Sequence, residues 1–134
     1  MKIILAPNAF KESLDAPAVA RAMARGWRRA FPNDELIQIP VADGGDGTAR
    51  AFASATGAKL ISTRVTGPLG GKVRAHWAWD ADNHLAVIEM AQAAGLWQVP
   101  LARRNPMKTT TRGVGELVLA ALKHGAKRII VGLG

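Results

Sequence analysis

Val41-Ala42-Asp43-Gly44-Gly45-Asp46-Gly47-Thr48 stands directly behind an alternating run in which Ile37, Ile39 and Val41 are separated by Gln38 and Pro40. The alternation predicts a strand over 35–41 that delivers Asp43 to the edge of a sheet, where open α/β folds bind their ligands. Gly44, Gly45 and Gly47 would let the backbone approach a phosphate closely. The same Asp-Gly cluster also reads as a plain turn, since short Gly/Asp groups punctuate many chains.

Upstream, Lys2-Ile3-Ile4-Leu5-Ala6 has the continuous apolar character of a buried parallel strand and ends at Pro7-Asn8. The loop behind it carries Lys11 and Ser13. Asp15 is placed to cap a helix that tolerates Pro17 in its first turn, and Val19, Met23, Trp27 and Ala30 form its apolar stripe. Pro32-Asn33-Asp34 stops it, and a second helix over 47–56, with Phe52 inward, is ended by Gly57. A β-α-β-α start predicts a parallel sheet with a right-handed crossover. Loops 7–13 and 42–48 then open at one sheet edge, so that Lys11 and Asp43 can face one ligand. Lys11 would neutralise a phosphate or carboxylate, and Asp43 and Asp46 would hold Mg²⁺ or accept a proton, both roles suited to phosphoryl transfer. The segment is neither a Walker A loop nor a G-x-G-x-x-G fingerprint, and it lacks the spacing of a calcium loop.

From residue 58 the texture changes. Segments 59–66, 72–79 and 84–90 read as consecutive strands separated by Gly67-Pro68-Leu69-Gly70-Gly71 and Asp80-Ala81-Asp82-Asn83, an antiparallel meander. The shift predicts a boundary near 62–70, giving regions 1–63 and 64–134. Trp77 and Trp79 share a strand face and read as packing residues. Glu89 ends the apolar strand Ala86-Val87-Ile88-Glu89-Met90, so its carboxylate must be paired, cap the following helix, or act chemically.

A short helix is expected over 91–97, then a loop through Arg103-Arg104-Asn105-Pro106 into Thr109-Thr110-Thr111. Val114, Leu117, Val118, Ala121 and Leu122 give helical periodicity over 112–124, with the three threonines at its positive end, an arrangement that suits an anion and equally an ordinary Thr cap. Glu116 could close a capping box with an upstream Thr or Gly, or serve catalysis. His76, His84 and His124 have no metal-ligand spacing. The last strand, 127–131, runs into Gly132-Leu133-Gly134, where strands ordinarily continue into a phosphate-binding turn or a helix, so truncation is expected.

With 134 residues, 49% of them apolar, the chain can bury a core. There is no cysteine, which excludes disulfide and thiolate chemistry. No signal-like N-terminus or membrane-length apolar run is visible, and a cytoplasmic protein is expected. The net charge of +8 calls for anionic partners. Its distribution argues against nucleic acid: Arg21, Arg25, Arg28 and Arg29 follow one helix face, Arg103, Arg104, Lys108 and Arg112 surround a distant loop, and no nucleic-acid motif accompanies them.

Six blocks in fixed order resemble the N-terminal part of the class I glycerate kinases. They are Ala6-Pro7-Asn8-Ala9-Phe10-Lys11-Glu12-Ser13-Leu14, Pro40 to Thr48, Val65-Thr66-Gly67-Pro68-Leu69-Gly70, Ile88-Glu89-Met90-Ala91, Arg104-Asn105-Pro106 and Thr109 to Leu117. The family's first block commonly reads Asp-Ser-Phe-Lys-Gly-Ser, so Asn8, Ala9 and Glu12 depart from it. The resemblance implies a two-lobed α/β enzyme: a discontinuous Rossmann-like lobe, begun here by the parallel β-α-β start, and part of a second α/β lobe with antiparallel strands. It also implies ATP-dependent phosphorylation of glycerate with Mg²⁺. Lys11, Asp43 and Asp46 would be catalytic, Asp43 would be the metal ligand, and Ser13, Gly44, Gly45, Gly47, Thr48, Asn105, Thr109, Thr110 and Thr111 would bind substrate or phosphate. Glu89 and Glu116 are further candidates. The isolated chain is expected to lack turnover and to self-associate. The rival reading is a non-catalytic basic α/β module that binds nucleotide or nucleic acid.

Overall fold

A computed structural model of the chain describes residues 1–10 and 13–134. They form two compact units, Met1–Asp43 and Gly44–Gly134. The first contains strand β1 (Lys2–Leu5), helix α1 (Ala16–Ala30) and strand β2 (Glu35–Gln38), with β1 and β2 paired in parallel from Lys2↔Glu35 to Leu5↔Gln38. This is the expected parallel β-α-β start, although β2 ends at Gln38 rather than at 41. Beyond it the backbone stays docked on the first strand's exit, Ile39 N donating to Leu5 O (2.8 Å) and Val41 N to Pro7 O (3.0 Å). Asp15 caps α1 as its position predicted, accepting from Ala18 N at 2.8 Å. Val19, Ala20 and Ala24 face inward, while Arg21, Arg25, Arg28 and Arg29 lie exposed on the helix.

The second unit begins with helix α2 (Thr48–Thr56) and continues through β3 (Lys59–Thr66), β4 (Lys72–Asp80), β5 (Leu85–Glu89), α3 (Met90–Ala94), α4 (Arg112–Lys123) and β6 (Arg128–Gly132). Its sheet has the order β3-β4-β5-β6; the first three strands form the antiparallel meander and β6 adds parallel to β5. Period-2 alternation divides the side chains between two faces. Trp77, Trp79, Ala86 and Ile88 pack with Ala93, Leu117 and Ala121 of α3 and α4, whereas Ala78 and Val87 pack with Ala49 and Ala53 of α2. Burying side chains such as Ile88 and Leu117 contributes about 1.5–3 kcal/mol each.

The division at 43/44 differs from the expected one at 63/64. Small residues on α2, Ala49 and Ala53, seat that helix on β4 and β5, so it belongs with the meander although it follows the first strand pair in sequence. Trp77 and Trp79 are buried packing residues, and His124 stands edge-on to both, with ring centroids 5.6 and 5.1 Å away. The helix expected over 91–97 stops at Ala94, and a separate 3-10 turn covers Leu96–Gln98. Gly95 separates them in extended conformation (φ −64°, ψ 141°).

Candidate functional site

The glycine loop of the second unit is held from two directions. Within it, Gly44 N donates to Thr48 Oγ1 (3.1 Å), and the Thr48 hydroxyl donates to Gly45 O (2.9 Å). From below, the Glu89 carboxylate at the end of β5 accepts from Gly47 N (3.0 Å) and Ala49 N (2.5 Å), with Gln92 Nε2 at 3.4 Å. Glu89 is only 1% exposed. Burial raises its pKa above the ordinary carboxylate value; the bonds from Ala49, Gly47 and Gln92 pull the other way, and Asp46 nearby adds to the rise. Glu89 is thus paired, and it caps the preceding helix α2 rather than the helix that follows it. Two donors at the start of α2 are therefore engaged by the chain's own carboxylate, while Asp46 in the same loop is exposed.

A second glycine segment packs on the same loop. Parallel strands β5 and β6 end side by side at Glu89↔Gly132, and a Cβ on Gly132 would stand 2.2 Å from Gly44 O. Gly134 approaches Gly45 in the same way, its Cβ position 3.1 Å from Gly45 Cα. Gly132 and Gly134 were not among the expected site residues; a strand running straight into glycines was the signal for them.

In the first unit, Ser13 is exposed, its N–H donating to Phe10 O at 2.9 Å. Asp43 is exposed at the end of that unit. Lys11, the expected phosphate clamp, lies outside the described residues, as does Glu12. Among the described residues no three His, Asp or Glu side chains gather as a metal cage. Asp46, in the second unit, is exposed as well.

Asn105 and the threonines line a different place, a cleft of about 500 Å³ in the second unit. One wall consists of Pro68, Ala94, Leu96 and Val99; Arg104, Asn105, Thr109, Thr110 and Thr111 form its polar end. The three hydroxyls at the start of α4 are engaged differently. Thr109 donates its hydroxyl to Pro106 O (3.3 Å), Thr110 Oγ1 accepts from Arg112 N (3.1 Å), and Thr111, the cap residue, makes no side-chain cap bond. Thr110 N donates to Pro68 O at 3.0 Å, joining the polar and apolar parts of the lining.

Glu116 makes no capping box. Its carboxylate accepts from Thr66 N (2.7 Å) and Thr66 Oγ1 (2.8 Å), with Arg112 Nε at 3.2 Å and Lys72 Nζ at 3.5 Å. Those bonds from Thr66, followed by the charge of Lys72, lower its pKa to about 2. It ties the end of β3 to α4, a role with no local sequence signature because Thr66 is 50 positions away. Alongside it, Gly113 lies so near β3 that a Cβ would sit 2.0 Å from Thr66 O.

Among the described residues no helix is long and apolar enough to cross a membrane. The family model for the glycerate kinase family matches residues 3–134. Over all 134 residues the chain is 52% identical to a glycerate kinase of Bacillus subtilis (strain 168) and 50% identical to a glycerate 2-kinase of Escherichia coli (strain K12). It spans 35% of the length of each. A crystal structure of a candidate glycerate kinase 2 from Salmonella typhimurium LT2 matches the whole chain with a TM-score of 0.75 at 47% identity, over 36% of that protein.

Proposed function

This chain belongs to the glycerate kinase family, and on that premise we propose that the protein carrying it transfers the γ-phosphoryl group of ATP to a hydroxyl of glycerate. The observation that most supports this is the glycine loop pinned at the ends of β5 and β6 by Glu89 and Gly132, with an exposed carboxylate at Asp46. Rigid backbone beside unburied carboxylates suits a reaction whose catalysis is mostly positioning and charge stabilisation. The glycerate hydroxyl oxygen bonds to the γ-phosphorus, the bond from that phosphorus to the bridging oxygen breaks, and ADP leaves. Asp43 or Asp46 takes the hydroxyl proton, and Lys11 balances charge on a phosphate or on the glycerate carboxylate. Mg²⁺, when bound through Asp43 and phosphate oxygens, would neutralise charge on the transferring group. Such chemistry belongs in the cytoplasm, where ATP is available.

In the complete gene product, Asp43→Asn and Lys11→Ala are expected to lower glycerate-dependent ADP production by about a hundredfold or more. Normal production by both variants would overturn these roles. The rival, a basic module binding nucleic acid, has the exposed arginines of α1 in its favour. It predicts an affinity for DNA that falls steeply with salt, and weak, salt-insensitive retention would remove it.

A further inference from the structure

The geometry points to the cleft beside the start of α4 as the seat of the nucleoside part of an adenine nucleotide. The phosphoryl-transfer reading supplies the kind of nucleotide; the recognition argument rests on the cleft itself. Glycerate carries a carboxylate and two hydroxyls and has almost no apolar surface, so a wall of Pro68, Ala94, Leu96 and Val99 offers it nothing. A volume of about 500 Å³ also far exceeds a three-carbon acid, and it falls among clefts that enclose ligands with a flat apolar body and a few oriented polar groups. A purine ring against Leu96, which is 61% exposed in the free protein, would cover that side chain.

Hydrogen-bond valence at the other end fits the rest of such a ligand. Thr110 Oγ1 already accepts from Arg112 N, so its hydroxyl is left to donate. Asn105 Oδ1 accepts from Met107 N at 3.0 Å, which leaves the amide as a donor. These two donors suit phosphate oxygens. Thr109 spends its proton on Pro106 O and remains an acceptor, suited to a ribose hydroxyl. The bond between Thr110 N and Pro68 O ties the polar end to the apolar wall before any ligand arrives.

Calorimetric titration of the complete gene product with ADP, adenosine, inorganic tripolyphosphate and glycerate tests this, in wild type and in Ala94→Leu and Leu96→Glu. The first variant fills the cleft; the second places a carboxylate at an exposed position and leaves the core intact, so it keeps the test open if the first fails to fold. Wild type is expected to bind ADP and adenosine, and both variants to lose about tenfold or more in ADP affinity, with glycerate binding unchanged. ADP affinity within about twofold of wild type in folded variants, or binding of tripolyphosphate without adenosine, would overturn the proposal. Glycerate-dependent turnover with variants of unaltered ADP affinity would sink this inference and leave the kinase reading standing. ADP binding lost in the variants, with no turnover in wild type, would do the reverse.

Discussion

Glu89 Oε2 accepts a hydrogen bond from Gly47 N at 3.0 Å across 42 positions of sequence, joining the end of a buried strand to the loop that carries Asp46. The bond holds the loop from inside the protein. Two opposing effects act on Glu89: burial disfavours its charge, and the backbone donors favour it. Glu89→Gln is expected to cost about 1–2 kcal/mol, since the amide oxygen keeps one of the two backbone donors paired while its NH2 faces the other. Glu89→Ala leaves both Gly47 N and Ala49 N unpaired and should cost about 2–4 kcal/mol. Denaturant unfolding of the complete gene product reads the difference, and equal costs for the two substitutions would contradict it.

The two buttressing carboxylates act with opposite sign on acid stability. Glu116 has a folded pKa near 2 against an ordinary 4.5, so the folded state releases this proton more readily and the contribution is full above about pH 4.5 and lost as pH falls towards 2. Glu89 has a folded value above 4.5, so its contribution is full below 4.5 and is lost as pH rises through that raised value. Unfolding free energies measured against pH should therefore fall less steeply below pH 4.5 in Glu116→Gln than in wild type. An unchanged slope would show that the Thr66–Glu116 pairing is not formed in solution.

Two glycines of α4 should respond oppositely to the same change. At Gly115 a Cβ meets nothing within 4 Å, so Gly115→Ala is expected to stabilise by about 0.5–1 kcal/mol through helix propensity. At Gly113 the Cβ would sit 2.0 Å from Thr66 O, and Gly113→Ala must push α4 off β3. A loss of about 2 kcal/mol or more is expected there, with thermal unfolding as the check.

Gly132→Ala probes the junction of the two glycine segments. Its Cβ would stand 2.2 Å from Gly44 O, a backbone atom that can yield only if the loop moves. Turnover is expected to drop by about tenfold or more, because small misplacements of a positioning loop are costly. Unaltered turnover in a folded variant would separate this loop from the reaction.

Local chemistry made much of the fold legible. Asp15 with Pro17 marked the first helix, the shared strand face of Trp77 and Trp79 marked them as packing residues, and Gly57 marked a helix end. The unit boundary was not legible: α2 follows the first strand pair in sequence, yet its small face, Ala49 and Ala53, fits the second sheet, and such fit leaves no periodic trace. For the site, the Asp/Gly loop and the Asn105–Thr111 stretch were visible as residue types. The partners of Glu89 and Glu116 were not, because a carboxylate carries no record of which distant N–H it will meet. The apolar lining of the cleft was equally silent, since Leu96 at the end of an expected helix and Val99 behind it carry no periodic signal of a binding surface.

The most direct test of the whole account is to incubate the complete gene product with ATP, Mg²⁺ and glycerate and to follow ADP and phosphorylated products together by phosphorus NMR. The account predicts ADP and a phosphoglycerate formed in equal amounts, with no ADP when glycerate is left out. ADP accumulating with inorganic phosphate irrespective of glycerate, or no ADP at all from the folded protein, would contradict it.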